Sequence, residues 1–262
     1  AKRLGAYADR LQNTFDILNQ GVEAGNLSWS NLSDKTVCLR IKTMMYDSAS
    51  YENGDHSRMK EELRGRLLEL RQEGITGLVL DLRSNGGGSP QFIMAIAELL
   101  APEGKHDYAY DGVWDEDAKE YKFNPDTGNY EVGNGITYEG ENLWRDGRIV
   151  VLVNSETISA GDHLTQMMSG YNNVTVMGFT PPNGSGQGVR GVAFSHGQLT
   201  YSAVPVLNED GTIFVDSDAS RVSRIMLDQK IPFDENAVRA LFDEGRDYML
   251  EYVAGYLEKG GE

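Results

Sequence analysis

The sequence predicts an α/β protein in which helices flank a mostly parallel sheet. Short apolar runs, typical of buried strands, occur at 36–44, 77–83, 149–153 and 174–177. Stretches with apolar residues every three or four positions, typical of amphipathic helices, lie between them. Because a strand, a helix and a second strand in this order form a crossover unit, the neighbouring strands are expected to run parallel.

The first elements follow from hydrophobic spacing. Residues 1–25 carry apolar side chains at helical spacing and are predicted to form a helix. The strand at 36–44 is followed by a polar segment, 47–56, that is predicted to be a loop. A long amphipathic helix then places Leu68 among its apolar residues and ends at Gly74, where a glycine is a common helix stop.

The remaining elements alternate in the same way. In chain order after the strand at 77–83, they are a glycine turn at 84–90, a helix at 91–100, a β-rich excursion at 105–147, a strand at 149–153, a helix at 159–169, a strand at 174–177, a Pro/Gly/Ser loop at 180–188, two short strands near 192 and 199, a turn at 208–211, and a closing helix at 235–257.

One main domain accommodates these elements, since 262 residues are enough for one large core. We divide the chain into an N-terminal helical segment, 1–35, a core, 36–234, and a C-terminal helix, 235–262. The β-rich insertion at about 105–147 belongs to the core. No internal repeat and no low-complexity linker interrupts it.

Composition excludes some partners. The net charge of −16, from 24 basic and 40 acidic residues, disfavours nucleic acid and anionic membrane surfaces. No stretch approaches the roughly 18 apolar residues of a membrane span. The single cysteine, Cys38, cannot form an internal disulfide, and its apolar surroundings in the sequence predict a small buried hydrophobe.

The loops after three strands are the places to look for chemistry, because ligands of α/β sheets bind beyond the carboxyl ends of the strands. The first loop contains Gly86, Gly87 and Gly88, which allow close backbone approach and expose N–H groups, as an anion or oxyanion site requires. An ordinary flexible loop is the alternative reading of three glycines.

The second loop brings Ser159 to the start of a helix, where free N–H groups stabilise negative charge. A serine at that position is more often a simple N-cap, so only its combination with the glycine turn favours a nucleophile. The third loop carries Asn183 and Gln187, which form hydrogen bonds but have no titratable proton.

Three segments in this order resemble the C-terminal-processing (tail-specific) and tricorn-like serine peptidases. They are the strand and glycine turn at 77–88, the nucleophile segment at 151–162 and the strand end at 178–180. The resemblance covers about 36–232. It implies a crotonase-like α/β core and a serine-type endopeptidase that acts on extended or unfolded polypeptide, with no cofactor and no metal.

The resemblance also assigns residues. Ser159 takes the position of the nucleophile, and the oxyanion would be bound by the N–H of Ala160 with that of Gly88 or, as second choice, Gly87. Asn183 stands where related enzymes carry the general-base lysine, and Gln187 stands at their glutamine position. An asparagine cannot accept the proton of the serine, so the lysine-based mechanism is excluded unless a lysine from another part of the chain reaches the site.

A histidine is then the expected base. His163 lies one helical turn after Ser159 and is the first candidate, although a partly buried helix histidine is the alternative interpretation. His56, in the polar segment before the long helix, is the second candidate. Asp216 occupies the approximate position of a site glutamate in tricorn-like members, or is a solvated turn acid.

No PDZ module is recognisable, because the roughly 35 residues before the first core strand do not resemble its carboxylate-binding loop. By resemblance, the protein is expected to be exported or associated with the cell envelope. The aromatic residues of the excursion either form a substrate-facing wall or a small core of their own. The sequence gives no oligomeric state.

Two other functions stay open. Because Asn183 replaces the lysine, the chain could be a catalytically degenerate binding protein that keeps the peptidase fold. An acyl-CoA hydrolase or isomerase of the wider crotonase-like group would share the fold and the oxyanion hole, but would not need Ser159.

Overall fold

The computed structural model describes residues 27–217 and 223–260. Its strands are, in chain order, β1 Leu27–Asn31, β2 Thr36–Ile41, β3 Gly77–Asp81, β4 Gly104–Gly112, β5 Trp114–Asp115, β6 Glu120–Tyr121, β7 Phe123–Asn124, β8 Asn129–Tyr130, β9 Val132–Gly140, β10 Arg148–Val153, β11 Val174–Gly178, β12 Gly188–Phe194, β13 Gly197–Val204, β14 Val206–Leu207 and β15 Gln229–Lys230. Its helices are α1 Ser48–Asn53, α2 Ser57–Gln72, α3 Pro90–Leu100, α4 Ala160–Met168, α5 Glu235–Val238, extended by a π-helical turn at Arg239–Glu244, and α6 Tyr248–Glu258.

A six-stranded sheet forms the centre, in the order β1-β2-β3-β10-β11-β15. Every neighbouring pair is parallel except β1 with β2, which forms an antiparallel edge. The predicted α/β fold with a mostly parallel sheet is therefore confirmed. Because the strands run parallel, the loops after β3, β10 and β11 leave the sheet at the same edge.

Both faces of the sheet are buried. Strand β10 is apolar at every position after Arg148 because alternate side chains enter different cores. Ile149, Val151 and Val153 join the larger core, to which α2, α3 and α4 contribute. Val150 and Leu152 face the smaller core, which α6 covers.

A buried ion-pair cluster fastens α6 to the end of β3. The Arg83 guanidinium donates two hydrogen bonds to Asp81, at 2.8 and 2.7 Å, and two to Asp247, at 2.8 and 2.7 Å. Asp81 and Arg83 are fully buried, and Arg40 lies 3.8 Å from Asp81. Four charge-assisted bonds offset the cost of burying these charges just before the glycine turn. The pKa of Asp81 is accordingly lowered, although burial alone raises it.

The excursion is β-rich, as predicted. Strands β4 and β9 pair with each other, β14 adds to β4, and two short hairpins extend from them. Its aromatic residues divide into two groups: Tyr108, Tyr138 and Trp144 are buried in the larger core, while Phe123 packs against Tyr130 near the surface.

The polar segment at 47–56 is not wholly a loop. It contains α1, whose N-cap Asp47 accepts a hydrogen bond from the Ser50 N–H at 2.7 Å. Gly54 follows the helix in the left-handed region, at φ 65°. None of the residues of α1 is buried, so the hydrophobic pattern carries no sign of a helix, and the end residues alone specify it.

The closing helix is not continuous. Gly245 adopts a left-handed conformation at φ 66° and ends the π-helical turn, and α6 starts anew with Asp247 as its N-cap. The break has a structural reason, because Asp247 must turn inward to reach Arg83. A second difference lies in α2, where Leu68 is 39% exposed although its spacing predicts the apolar side.

The predicted helix at 1–25 lies outside the described residues, and the domain boundaries at 35 and 234 remain predictions. Cys38 is buried and unpaired, as its sequence context predicts, and burial raises the pKa of its thiol. Within 27–217 and 223–260, no helix is long and apolar enough to cross a bilayer.

We predict that Arg83→Met lowers the free energy of unfolding by about 3–5 kcal/mol, because it leaves the buried Asp81 carboxylate without its main cation. Urea denaturation of the purified domain measures the loss. The control is Arg71→Met, which breaks the exposed pair with Asp146 and should cost no more than about 1 kcal/mol. Similar losses for both variants would contradict the proposed importance of the cluster.

Candidate active site

The glycine turn after β3 is held by the buried side chain of Asn85. Its Oδ1 accepts the Gly87 N–H at 2.9 Å, and its Nδ2 donates to the Ile41 carbonyl at 2.7 Å. Its own carbonyl accepts the Ile158 N–H at 2.9 Å. One residue therefore fixes the turn to β2 and to the segment that leads to Ser159.

Gly87 lets this turn approach the serine. Its φ is 86°, and a β-carbon on it would lie 2.6 Å from Ser159 Cβ and 3.0 Å from Ser159 Oγ. Both the backbone conformation and the contact exclude a larger side chain. At Gly88, φ is 142°, and a β-carbon would lie 2.5 Å from the Met44 carbonyl oxygen.

Ser159 is a strained residue at the N-terminus of α4. Its φ of 59° and ψ of −122° are unusual for a side chain other than glycine. It makes no side-chain capping bond to the helix, so it is not the plain N-cap that general statistics favour. Its N–H donates to the Ser185 carbonyl at 3.0 Å, which ties it to the third loop.

Side chains at the end of β10 keep the nucleophile segment close to the glycine turn. Asn154 Oδ1 accepts the Ser84 N–H at 2.9 Å. The buried Thr157 hydroxyl donates to the Leu82 carbonyl at 2.8 Å. Because these bonds join the ends of β3 and β10, the two loops cannot separate without exposing buried polar groups.

Asp162 fastens the third loop to α4. Its fully buried carboxylate accepts the Gly184 N–H at 2.9 Å and the Ser185 N–H at 3.2 Å. Burial raises the pKa of Asp162 to about 6, and the hydrogen bonds from the backbone offset only part of that shift. The acid therefore sits directly under the loop that contacts Ser159.

Two N–H groups near Ser159 are candidates for an oxyanion. Ala160 begins α4, where the first N–H groups have no partner within the helix. The Gly87 N–H is already bonded to Asn85, whereas the Gly88 N–H has no hydrogen bond to a described residue. The oxyanion site, with Gly88 as the first choice, Gly87 as the second and Ala160 as the other donor, remains a prediction.

His163 is buried behind the site. Its ring contacts Phe214 edge-on, and its Nδ1 shares a 2.5 Å hydrogen bond with the Tyr108 hydroxyl. Its Nε2 lies against the backbone of Gly186 and has no hydrogen-bond partner in the described part of the chain. Burial lowers the pKa of His163 to about 4, so the ring is neutral at pH 7.

His56 lies on the other side of the glycine turn. It is buried at the start of α2, and its Nε2 shares a 2.9 Å hydrogen bond with the Ser89 hydroxyl, which caps α3. Its Nδ1 has no hydrogen-bond partner within the described ranges, and burial lowers the pKa of the ring. The other two histidines are bound or placed elsewhere. His106 Nε2 is hydrogen-bonded to the Pro102 carbonyl, and His196 lies in the turn between β12 and β13.

The other predicted residues support the third loop. Asn183 Nδ2 donates to the Ser155 carbonyl at 3.1 Å, at the exposed rim. Gln187 donates to the Val215 carbonyl at 3.2 Å and accepts the Val206 N–H at 2.7 Å. Asp216 accepts the N–H of its neighbour Ser217 at 2.8 Å, which is the contact of a turn acid.

The structure thus brings the glycine turn, Ser159 and the third loop together, but no base among the described residues is bonded to the serine. Across 27–217 and 223–260, no side chain forms a hydrogen bond with the Ser159 hydroxyl. In the same ranges, no group of histidine, cysteine and acidic side chains could hold a metal ion. The arrangement offers a half-buried hydroxyl, a helix N-terminus and free backbone donors, the parts needed for acyl transfer.

Sequence reasoning missed three residues that shape this site. Asp162, three positions after Ser159, is where a capping acid reaches back to a helix start, so its spacing was a usable signal. Asn85 stands next to the glycines, where an asparagine often bonds the backbone two residues on. Tyr108 gave no signal, because its contact with His163 joins positions 55 residues apart.

Comparison with known proteins adds a family. The model of peptidase family S41 matches residues 35–217. No curated protein matches the chain by sequence.

Several solved structures share the fold. A candidate peptidase from Parabacteroides merdae has a TM-score of 0.63 at 19% identity, covering 94% of this chain and 69% of its own. The photosystem II D1 C-terminal processing protease has a TM-score of 0.53 at 19% identity, covering 86% and 55%. A candidate S41 protease from Bacteroides fragilis has a TM-score of 0.54 at 16% identity, covering 89% and 57%. The chain spans between half and 70% of the lengths of these structures.

We predict that Gly87→Ala lowers the free energy of unfolding by at least about 1–3 kcal/mol, because alanine is strained at this φ and its methyl group overlaps Ser159. The matched control is Gly86→Ala, whose methyl group would meet nothing within 4 Å. Chemical denaturation compares the two variants. Equal stability would show that the close approach of the turn to Ser159 is not required.

A second prediction concerns pH. The pKa of Asp162 is about 6 in the folded protein against an ordinary value of 3.8, so the folded state binds this proton more tightly. The stability that this provides is fully present below about pH 4 and is lost as the pH rises through 6. The Asp162→Asn variant has no carboxyl at this position and therefore does not lose this stability as the pH rises. From pH 4 to pH 7 the stability of the variant relative to wild type should therefore rise by on the order of 2–3 kcal/mol. Urea denaturation at a series of pH values tests this, and parallel curves would contradict it.

Proposed function

The chain belongs to peptidase family S41, and from this premise we propose that it is a serine-type endopeptidase that cuts extended or unfolded polypeptide through an acyl-enzyme on Ser159. The observation that carries the proposal is the conformation of Ser159, which is strained at a helix N-terminus and so close to Gly87 that a β-carbon there would lie 2.6 Å from its Cβ. Strain of this kind persists only where the surroundings enforce it, and it is concentrated at functional sites.

The proposed reaction is acyl transfer. Ser159 Oγ attacks the peptide carbonyl carbon while its proton passes to a base, and the carbonyl oxygen becomes an oxyanion. The Gly88 and Ala160 N–H groups donate to that oxygen, assisted by the dipole of α4. Collapse of the intermediate breaks the C–N bond, the amine leaves with a proton from the base, and water then hydrolyses the ester.

His163 is the first candidate for the base. Its neutral ring can accept a proton, and Nε2 is the nitrogen with no hydrogen-bond partner among the described residues, since Nδ1 is bonded to Tyr108. It lies one turn along α4 from Ser159, but Gly186 of the third loop covers Nε2. The mechanism therefore requires the third loop to move when substrate binds, as loops around active sites commonly do. Asp216, which follows the loop's contact at Val215, remains the proposed acidic member of the site.

His56 is the second candidate. Its position beside the glycine turn supports it, but its Nε2 is engaged by Ser89, which also caps α3. Proton transfer through Nε2 would require this capping bond to break. Its unpartnered Nδ1 is buried against the core, where the ring contacts Phe92.

The finer assignment of the core as crotonase-like is part of this proposal. The order of the parallel strands and the position of the site beyond their carboxyl ends support it. An exported or envelope location stays a prediction from the family resemblance.

A non-catalytic binding protein is the second candidate function. It is favoured by one observation, that the Ser159 hydroxyl has no bonded base in the described ranges while Asn183 stands at the lysine position and bonds the Ser155 carbonyl. In that case the cleft beside Ser159 would still bind extended polypeptide, but would not cut it.

Two measurements on the folded protein test the proposal: labelling by a fluorophosphonate probe, and hydrolysis of unfolded casein. We expect wild type to be labelled and active, and Ser159→Ala to be neither. His163→Asn should lower kcat/KM by about 10²- to 10⁴-fold, because asparagine can keep a hydrogen bond to Tyr108 but lacks Nε2. His56→Gln, which can keep the bond to Ser89, should have a much smaller effect.

The matched control is His196→Asn in the exposed hairpin turn, which should leave labelling and hydrolysis unchanged. A larger loss in His56→Gln than in His163→Asn would reverse the assignment of the base. Absence of labelling in the folded wild type, with peptide binding retained, would overturn the peptidase proposal in favour of the binding protein.

A further inference from the structure

A cavity lies beside the third loop, between the β-rich excursion and the base of the β12–β13 hairpin. We call it the side cavity; its volume is about 360 Å³, and its lining includes Gln187 and residues Ser202–Pro205. Its aromatic wall is formed by Tyr121, Phe123 and Tyr130. Glu120, Phe123 and Tyr130 also line a larger neighbouring cavity of about 560 Å³, so the two are continuous along one wall.

The side cavity is close to Ser159. Gln187 is two residues after Ser185, whose carbonyl accepts the Ser159 N–H. Two residues of chain span at most about 7 Å between Cα atoms. An extended polypeptide with its cleaved bond at Ser159 therefore reaches the cavity within a few residues, at about 3.3 Å per residue.

Glu120 is the acidic residue that lines this cavity. Its carboxylate makes no hydrogen bond or ion pair with a described residue. In the larger cavity, by contrast, Glu131 pairs with Lys122 at 3.5 Å, and Asp115 accepts N–H groups of its own turn. The lining of the larger cavity carries one basic residue and four acidic ones, namely Lys122 against Asp115, Glu120, Glu131 and Asp210. This excess of negative charge attracts a cation.

The aromatic wall is suited to a guanidinium group. The protein already places one on the same cluster: Arg190 Cζ lies 5.9 Å above the ring of Trp114. Trp114 in turn packs edge-on against Tyr121, with 5.0 Å between ring centroids. Arginine stacks on aromatic faces and is weakly hydrated, so a ring wall with a free carboxylate favours it over lysine.

We propose that the side cavity is a specificity subsite that binds a basic side chain, arginine above all, of the extended polypeptide held at Ser159. The inference rests on the proposed function, because that function makes an extended polypeptide the substrate. The preference for a basic side chain is argued from the lining of the cavity. The side chain stacks against Phe123 and Tyr130, and its charge lies near Glu120. The net charge of −16 supports the same substrate class, because it favours encounter with cationic polypeptides.

Binding is tested without catalysis in the Ser159→Ala variant. The probes are fluorescein-labelled alanine–serine peptides that carry one arginine, and the same peptides with citrulline, which has the same shape and no charge. Fluorescence anisotropy should show about threefold to tenfold tighter binding of the arginine peptide, in line with a cation–π contact and a partly exposed ion pair. Added salt should reduce the preference.

Glu120→Gln, introduced into the same background, should remove most of the preference. The charge-matched control is Glu116→Gln on the same excursion, where Glu116 pairs with Lys119 and does not line the cavity. Because both residues are exposed, neither variant should affect folding. Equal binding of both peptides, or an equal effect of the two variants, would overturn the proposal.

Cleavage in the wild-type background separates this proposal from the peptidase proposal. If arginine and citrulline peptides are cut at the same rate, the subsite is refuted and the peptidase stands. If neither is cut but the arginine peptide binds with its preference, the subsite stands and the peptidase proposal fails. Moving the arginine along the peptide should show a preference at one position only, a few residues from the cut.

Discussion

Arg83 is the residue on which the geometry of the site depends. It lies two residues beyond the end of β3, one of the two central strands of the sheet, and its four bonds to Asp81 and Asp247 join the end of that strand to α6. A guanidinium buried this deeply tolerates little displacement, because moving it away would leave the buried Asp81 carboxylate without its main cation. The turn that begins at Ser84 therefore starts from a fixed point.

Beyond Arg83, buried polar side chains fix the loops of the site through hydrogen bonds to their backbone. Asn85 shapes the glycine turn and binds the segment before Ser159, and Asp162 binds the third loop from below. Buried side chains replace the regular pairing that strands lose where they end. Glycine at 87 then makes the approach possible, since any β-carbon there would collide with the serine.

The sequence was sufficient for the sheet, because runs such as 149–153 are short and apolar at every position, as buried strands of a parallel sheet are. It also predicted that Ser159 stands at the start of a helix beside the glycine turn, and the role of Ser159 as nucleophile stays a prediction. The sequence did not predict features that depend on a contact between two polar side chains far apart in the chain. The break at Gly245 exists so that Asp247 can reach Arg83, and this pairing spans 164 positions. The burial of His163 behind Tyr108 has the same origin.

The proposed oxyanion donors and the proposed proton path depend on different parts of the structure. Gly88 and Ala160, the proposed oxyanion donors, belong to segments that Asn85 joins directly. The proton path is different, because the third loop touches both of its ends: Ser185 bonds the backbone of Ser159, and Gly186 covers Nε2 of His163. A movement of this loop would therefore change the surroundings of the serine and of the histidine together. The loop is fastened by Asp162, whose carboxylate is costly to keep charged where it lies. The same loop continues to Gln187 at the side cavity, so the proposed subsite and the residue that covers His163 Nε2 belong to one short segment of the chain.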